Sequence, residues 1–161
     1  MTISAICPPE GATVQSLPLR LLGWAAWLSF IGYLAVCVIA GGWGVVGARW
    51  DQRHLLGYDP TTLTPLASAC VISQYRFLRA LELGFGLYSW RFRQEIFSKR
   101  PYNALFLSIM SLGVAARLLS LAVDGRPSGW FYAFLISELV GVVLIAAYTV
   151  PRLDLPRAEA T

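Results

Sequence analysis

Charge is scarce in this chain, and so are the residues that build metal and redox centres. Only 14% of its 161 residues are charged, against about 25% in soluble domains. There is one histidine, His54. That excludes the commonest transmembrane haem site, which takes two histidines from one chain. The three cysteines, Cys7, Cys37 and Cys70, are odd in number and fit no metal or disulfide framework. Cys7 has no apolar stretch before it, which argues against a lipoprotein signal. No Lys-Ser/Thr follows the run Gly41-Gly42-Trp43-Gly44, so it is not a phosphate loop. No nucleophile–base arrangement is recognisable. The sequence therefore calls for no metal and no cofactor, and it leans away from an enzyme.

Apolar residues are abundant instead, at 57%, and they fall in long runs, as in a chain embedded in a bilayer. A length of 161 residues suits one domain. The net charge of +4 implies no nucleic-acid partner, because no basic stripe carries interleaved aromatics. Ten of the thirteen basic residues lie in connections or termini, where the positive-inside rule operates.

Residues 1–18 read as an irregular tail broken by Pro8, Pro9, Gly11 and Pro18. The uncharged run Leu21–Ala48 is too long for a secretory signal, and it predicts a first span over about 20–46. Gly41, Gly42, Gly44 and Gly47 are expected to end or loosen it. Residues 49–64 read as the longest connection, polar and solvated, with His54, Asp51 and Asp59 as loop residues. Thr64-Pro65 looks like a helix start, with Thr64 as the cap. Further spans are predicted over 66–90, 101–123 and 128–150, joined by a basic turn at 91–101 and a tight turn at 124–127. Pro151 is expected to end the last one, with a polar tail over 151–161. The fold class is all-α: a four-helix up-and-down transmembrane bundle over 19–150. Lys and Arg are denser on the side of the termini and the 91–101 turn, which predicts both termini cytoplasmic in a multi-pass protein.

Five ionisable residues fall inside these spans: Arg76, Arg79, Glu82, Arg117 and Glu138. One such group at a helix centre costs about 2.5–3.5 kcal/mol to insert, so they should face the bundle interior and pair. Counted from the side of the 49–64 loop at about 1.5 Å per residue, Arg117 lies near 10 Å, Glu138 near 14 Å, and Arg76, Arg79 and Glu82 near 15, 20 and 24 Å. Ala133, Ser137 and Gly141 make a small-residue seam beside Glu138. Three arginines against two glutamates leave one positive charge over, which would suit an anionic group.

The segment from Gln74 to Gly86, QYRFLRALELGFG, is similar to the second-helix signature of a bacterial group of small four-helix membrane proteins known only as a domain of unknown function. So are Ala116-Arg117, the turn Asp124-Gly125-Arg126-Pro127, and Glu138 in the fourth helix. The resemblance covers roughly residues 20–148. It implies four helices, a bacterial inner membrane, and importance for Arg79, Arg117, Asp124 and Glu138, but no substrate. Arg76, Arg79, Glu82, Arg117, Asp124 and Glu138 are thus the candidate polar core. Three readings of it stand: ion pairs that fix helix register, a pocket for a lipid or small anionic ligand, or a proton relay. Besides the bilayer, the expected partners are such a ligand and a membrane-protein partner or second copy. The first function reading is a non-enzymatic accessory or ligand-binding protein. The alternatives are a membrane enzyme acting on a lipid or isoprenoid, and a small transporter.

Overall fold

The computed structural model describes residues 17–154, and the expected tail residues 1–16 and 155–161 lie outside that range. The described chain is helical: α1 Leu17–Val46, α2 Ala48–His54, α3 Pro65–Arg91, α4 Arg93–Ser98, α5 Arg100–Val123 and α6 Gly129–Asp154, with a single 3-10 turn at Pro60–Thr62. Six α-helices thus stand where four were expected, because two of the connections coil into short helices. Three of the long helices, α1, α5 and α6, are apolar enough to cross a membrane. With 27 residues, α3 is about 40 Å long, yet its charges keep it out of that set.

The long helices alternate in direction, and α1 is the axis of the packing. It packs against both α3 and α6, and α5 packs on α6. The backbones of α3 and α5 stay apart. The α1 sequence explains this central place. Its buried positions are Gly23, Ala26, Phe30, Leu34, Cys37, Gly41 and Gly44, spaced three and four residues apart along one stripe. Of the four glycines expected to end or loosen this helix, Gly47 does end it, while Gly41, Gly42 and Gly44 lie within α1. A Cβ on Gly41 would come within 2.7 Å of the Leu83 backbone nitrogen, so Gly41 is where α3 is allowed to touch α1. The chain breaks only at Gly47, between α1 and α2.

At the other end α4 lies against α5 and closes an aromatic core. Phe30 is fully buried and meets Phe97 and Phe106 with ring centroids 5.2 Å away in each case. Ile96 and Ile145 are also fully buried there. Buried Asn103 donates to the Ile96 carbonyl at 3.0 Å and to Thr149 Oγ1 at 2.9 Å, which ties α4, α5 and α6 together. Pro151 does not stop α6, which continues one turn to Asp154. That turn is held by an Arg100–Asp154 ion pair of 3.4 Å.

The segment 47–64 folds over the opposite end. Thr64 caps α3 by accepting from the Ala67 N–H, with Pro65 in the first turn. The backbone N–H of Thr61 and the Arg53 guanidinium bind the Asp59 carboxylate and hold its pKa below the usual value. Gly57 and Gly125, at φ 77° and 94°, make the left-handed turns of this end. Ser128 Oγ donates to the Leu55 carbonyl, which joins the α5–α6 turn to the segment after α2.

Candidate functional site

The charged residues gather where α3 and α5 part. On α3, Arg79 Nη1 donates to Glu82 Oε2 at 2.6 Å, one turn apart. Between α5 and α6, Arg117 grips Glu138 with two hydrogen bonds, Nε to Oε2 at 2.7 Å and Nη2 to Oε1 at 2.9 Å. This bidentate fork is the strongest geometry available to a guanidinium and a carboxylate. The Arg117 guanidinium also lies over the rings of Phe131 and Phe134, at 5.8 and 5.6 Å.

Arg79, Glu82, Arg117 and Glu138 line one cavity of about 460 Å³. Its other walls are largely apolar and come from α1, from Tyr75 and Leu78 of α3, from α6 and from Leu56 of the segment after α2. A second cavity of about 790 Å³ runs between α3 and α5 and shares Tyr33, Leu78, Glu82, Arg117, Phe131 and Glu138 with the first. The Phe85–Phe106 stack, with centroids 5.7 Å apart, bridges α3 to α5 toward the α4 end. The two cavities therefore lie on the α2 side of that stack.

Two of the six candidates lie elsewhere. Arg76 is exposed and makes no hydrogen bond or ion pair among the described residues. Six residues separate it from Glu82, which turns it to about 120° away on the helix. The surplus positive charge expected from three arginines therefore does not exist in the cavity, where two arginines face two glutamates. Asp124 is also exposed. It sits at the end of α5 and accepts only from Ser120 Oγ at 2.8 Å. The two ion pairs share a cavity but do not bond to each other.

One residue that matters here was read as a solvated loop residue. Asp51, on α2, is only 4% exposed. Its Oδ1 accepts from Trp43 Nε1 at 3.1 Å, and its Oδ2 accepts from Tyr75 OH at 2.7 Å. Tyr75 OH in turn accepts from Arg79 Nε at 2.8 Å. An unbroken chain of polar contacts thus runs from Trp43 through Asp51, Tyr75 and Arg79 to Glu82. Gly44 makes room for it, since a Cβ there would lie 2.6 Å from Arg79 Cδ. No short sequence pattern announces Asp51. The one available sign is Gly47, a break that allows the seven residues after it to fold back as a helix. Among the described residues, no cluster of three His, Cys, Asp or Glu side chains could hold a metal ion.

An all-helical chain with three membrane-length apolar helices and charged pairs around a cavity is, by class, a membrane protein. It belongs to the family described as a domain of unknown function (DUF4345), which it matches over residues 20–149. No curated protein matches the chain significantly, and neither does any solved structure.

Proposed function

We propose that this protein is a four-span protein of the bacterial inner membrane that binds an amphipathic, lipid-like ligand in the cleft between α3, α5 and α6. The observation that carries this reading is the shared cavity of about 460 Å³, in which four charged side chains sit among mostly apolar walls. Ligand sites combine an apolar lining with a few convergent polar groups in this way. In the hydrocarbon region a partly exposed charge needs water or a polar head beside it. Treating α3 as the fourth span is supported by its length and by its packing along α1. It is supported too by the half-buried, paired state of Arg79 and Glu82. Exposed Arg76 would then extend toward the nearer interface.

Native mass spectrometry of gently purified protein tests the site. Wild type should carry a bound lipid, and Ser137→Trp, which fills the cavity wall, should lose it. Equal lipid retention by both would overturn the reading. The same proposal puts both termini in the cytoplasm, because the 91–101 turn is the more basic connection. With the native cysteines replaced, Tyr58→Cys in intact cells should react with an impermeant thiol reagent and Glu95→Cys should not. The reverse pattern would invert the orientation.

A further inference from the structure

The charge on the cavity wall narrows the kind of ligand head that fits. Resting on the binding role proposed above, we infer that the cleft takes a zwitterionic head group, one carrying an anionic group and an ammonium together. Arg79 and Arg117 offset Glu82 and Glu138, so the lining is neutral. A ligand with a net charge would add an uncompensated charge to a poorly solvated site, whereas a zwitterion adds none.

The two pairs also expose opposite members. On the α3 side, Glu82 is 29% exposed and its partner Arg79 only 15%. On the α5–α6 side, Arg117 is 31% exposed and its partner Glu138 only 16%. Arg79 is further occupied by Tyr75 and, behind it, by Asp51. Glu138 has both oxygens engaged by Arg117. What remains open to a ligand is therefore a carboxylate from one wall and a guanidinium from another. Glu82 and Arg117 line both cavities, so a head placed between them lets an apolar tail follow either. A phosphate or carboxylate would sit on Arg117, through Nη1, the one guanidinium nitrogen not bonded to Glu138. An ammonium would sit on Glu82, whose Oε1 has no protein partner among the described residues.

The test uses the protein in detergent and three single-chain amphiphiles of the same chain length. Lysophosphatidylethanolamine is zwitterionic, lysophosphatidic acid is anionic and a long-chain alkylamine is cationic. Titration by tryptophan fluorescence, with native mass spectrometry as a check, gives each Kd. The zwitterion should bind about tenfold tighter than either the anionic or the cationic probe, the worth of one further charge-assisted hydrogen bond. Glu82→Gln should abolish the advantage of the zwitterion over the anion. If the wild type binds the anion or the amine as tightly as the zwitterion, this inference fails while the binding role stands. If no probe binds, both fail. A zwitterion advantage that survives in folded Glu82→Gln also overturns the assignment. Should Glu82→Gln not fold, the wild-type ranking decides alone.

Discussion

At the α4 end, Phe30, Phe97 and Phe106 pack ring against ring beside fully buried Ile96 and Ile145. At the α2 end, α3 and α5 part beside two cavities, and the polar groups around them include arginine, glutamate and tyrosine. The first end is filled by aromatic side chains reaching across from three helices. The second is held by polar pairs, each of fixed geometry, with space left beside them. Dispersion and shape carry packing between helices in a bilayer, since the lipid is as apolar as the side chains. The filled end should therefore supply most of the stability, and the open end most of the specificity.

The largest effect should come from emptying the filled end. Phe106 is 1% exposed and touches Phe30, Tyr33 and Phe85. Phe106→Ala should cost about 3 kcal/mol, the lower part of the range for a buried aromatic truncation, because the water-transfer share is missing in lipid. Thermal unfolding in detergent measures it. A loss smaller than that of the charge variants below would reverse the division between the two ends.

The open end should respond differently, through pairing rather than volume. Arg117→Leu leaves Glu138 without its fork. A fully buried ion pair broken this way costs about 3–5 kcal/mol, and the partial exposure of both groups lowers the expectation to about 2. Arg117→Leu combined with Glu138→Leu should recover part of that loss. Stability measured through the double-mutant cycle checks it. Strictly additive losses would mean that the pair contributes no coupling and that the α2 end is held in some other way.

The two ends also differ in how far the sequence discloses them. The Arg117–Glu138 pair was legible because the depth of each residue follows from counting along a helix, and two opposite charges at matched depth have strong reason to meet. At the aromatic end, which rings stack depends on α4, a helix hidden in a stretch that reads as a turn. The expectation that every ionisable residue within a span faces the bundle interior fails at Arg76, which lies about 120° around α3 from Glu82 and is exposed. Asp51 was missed for a deeper reason. Its burial depends on α2 folding back at Gly47 so that Asp51 meets Tyr75 twenty-four residues further on, and no local pattern encodes such a contact. Of the glycines expected to end or loosen α1, Gly47 ends it, whereas the role of Gly41 and Gly44 depends on a neighbour the sequence does not name.

That neighbour makes the finest test of the comparison, because Gly41 and Gly44 lie one turn apart and meet different parts of α3. At Gly41 an added Cβ meets backbone, at 2.7 Å from the Leu83 nitrogen and 3.0 Å from the Arg79 carbonyl oxygen. Only a shift of the whole helix relieves that. At Gly44 it meets the Arg79 side chain, at 2.6 Å from Cδ and 2.8 Å from Nε. A side chain can swing aside where a backbone cannot, but Arg79 must move from Cγ outward, so Gly44→Ala should cost about 1–2 kcal/mol, less than Gly41→Ala. The swing has a second consequence. Arg79 Nε is the atom bonded to Tyr75, so displacing it disconnects Asp51 and α2 from the ion pair at Glu82. Gly44→Ala should thus lower the melting temperature less than Gly41→Ala does and still weaken retention of the co-purified lipid. Gly41→Ala should lower both. Thermal scans paired with native mass spectrometry on the two variants separate these outcomes. Equal lipid retention in Gly44→Ala and wild type would show that the Arg79 position contributes nothing to the open end beyond the Arg79–Glu82 pair itself.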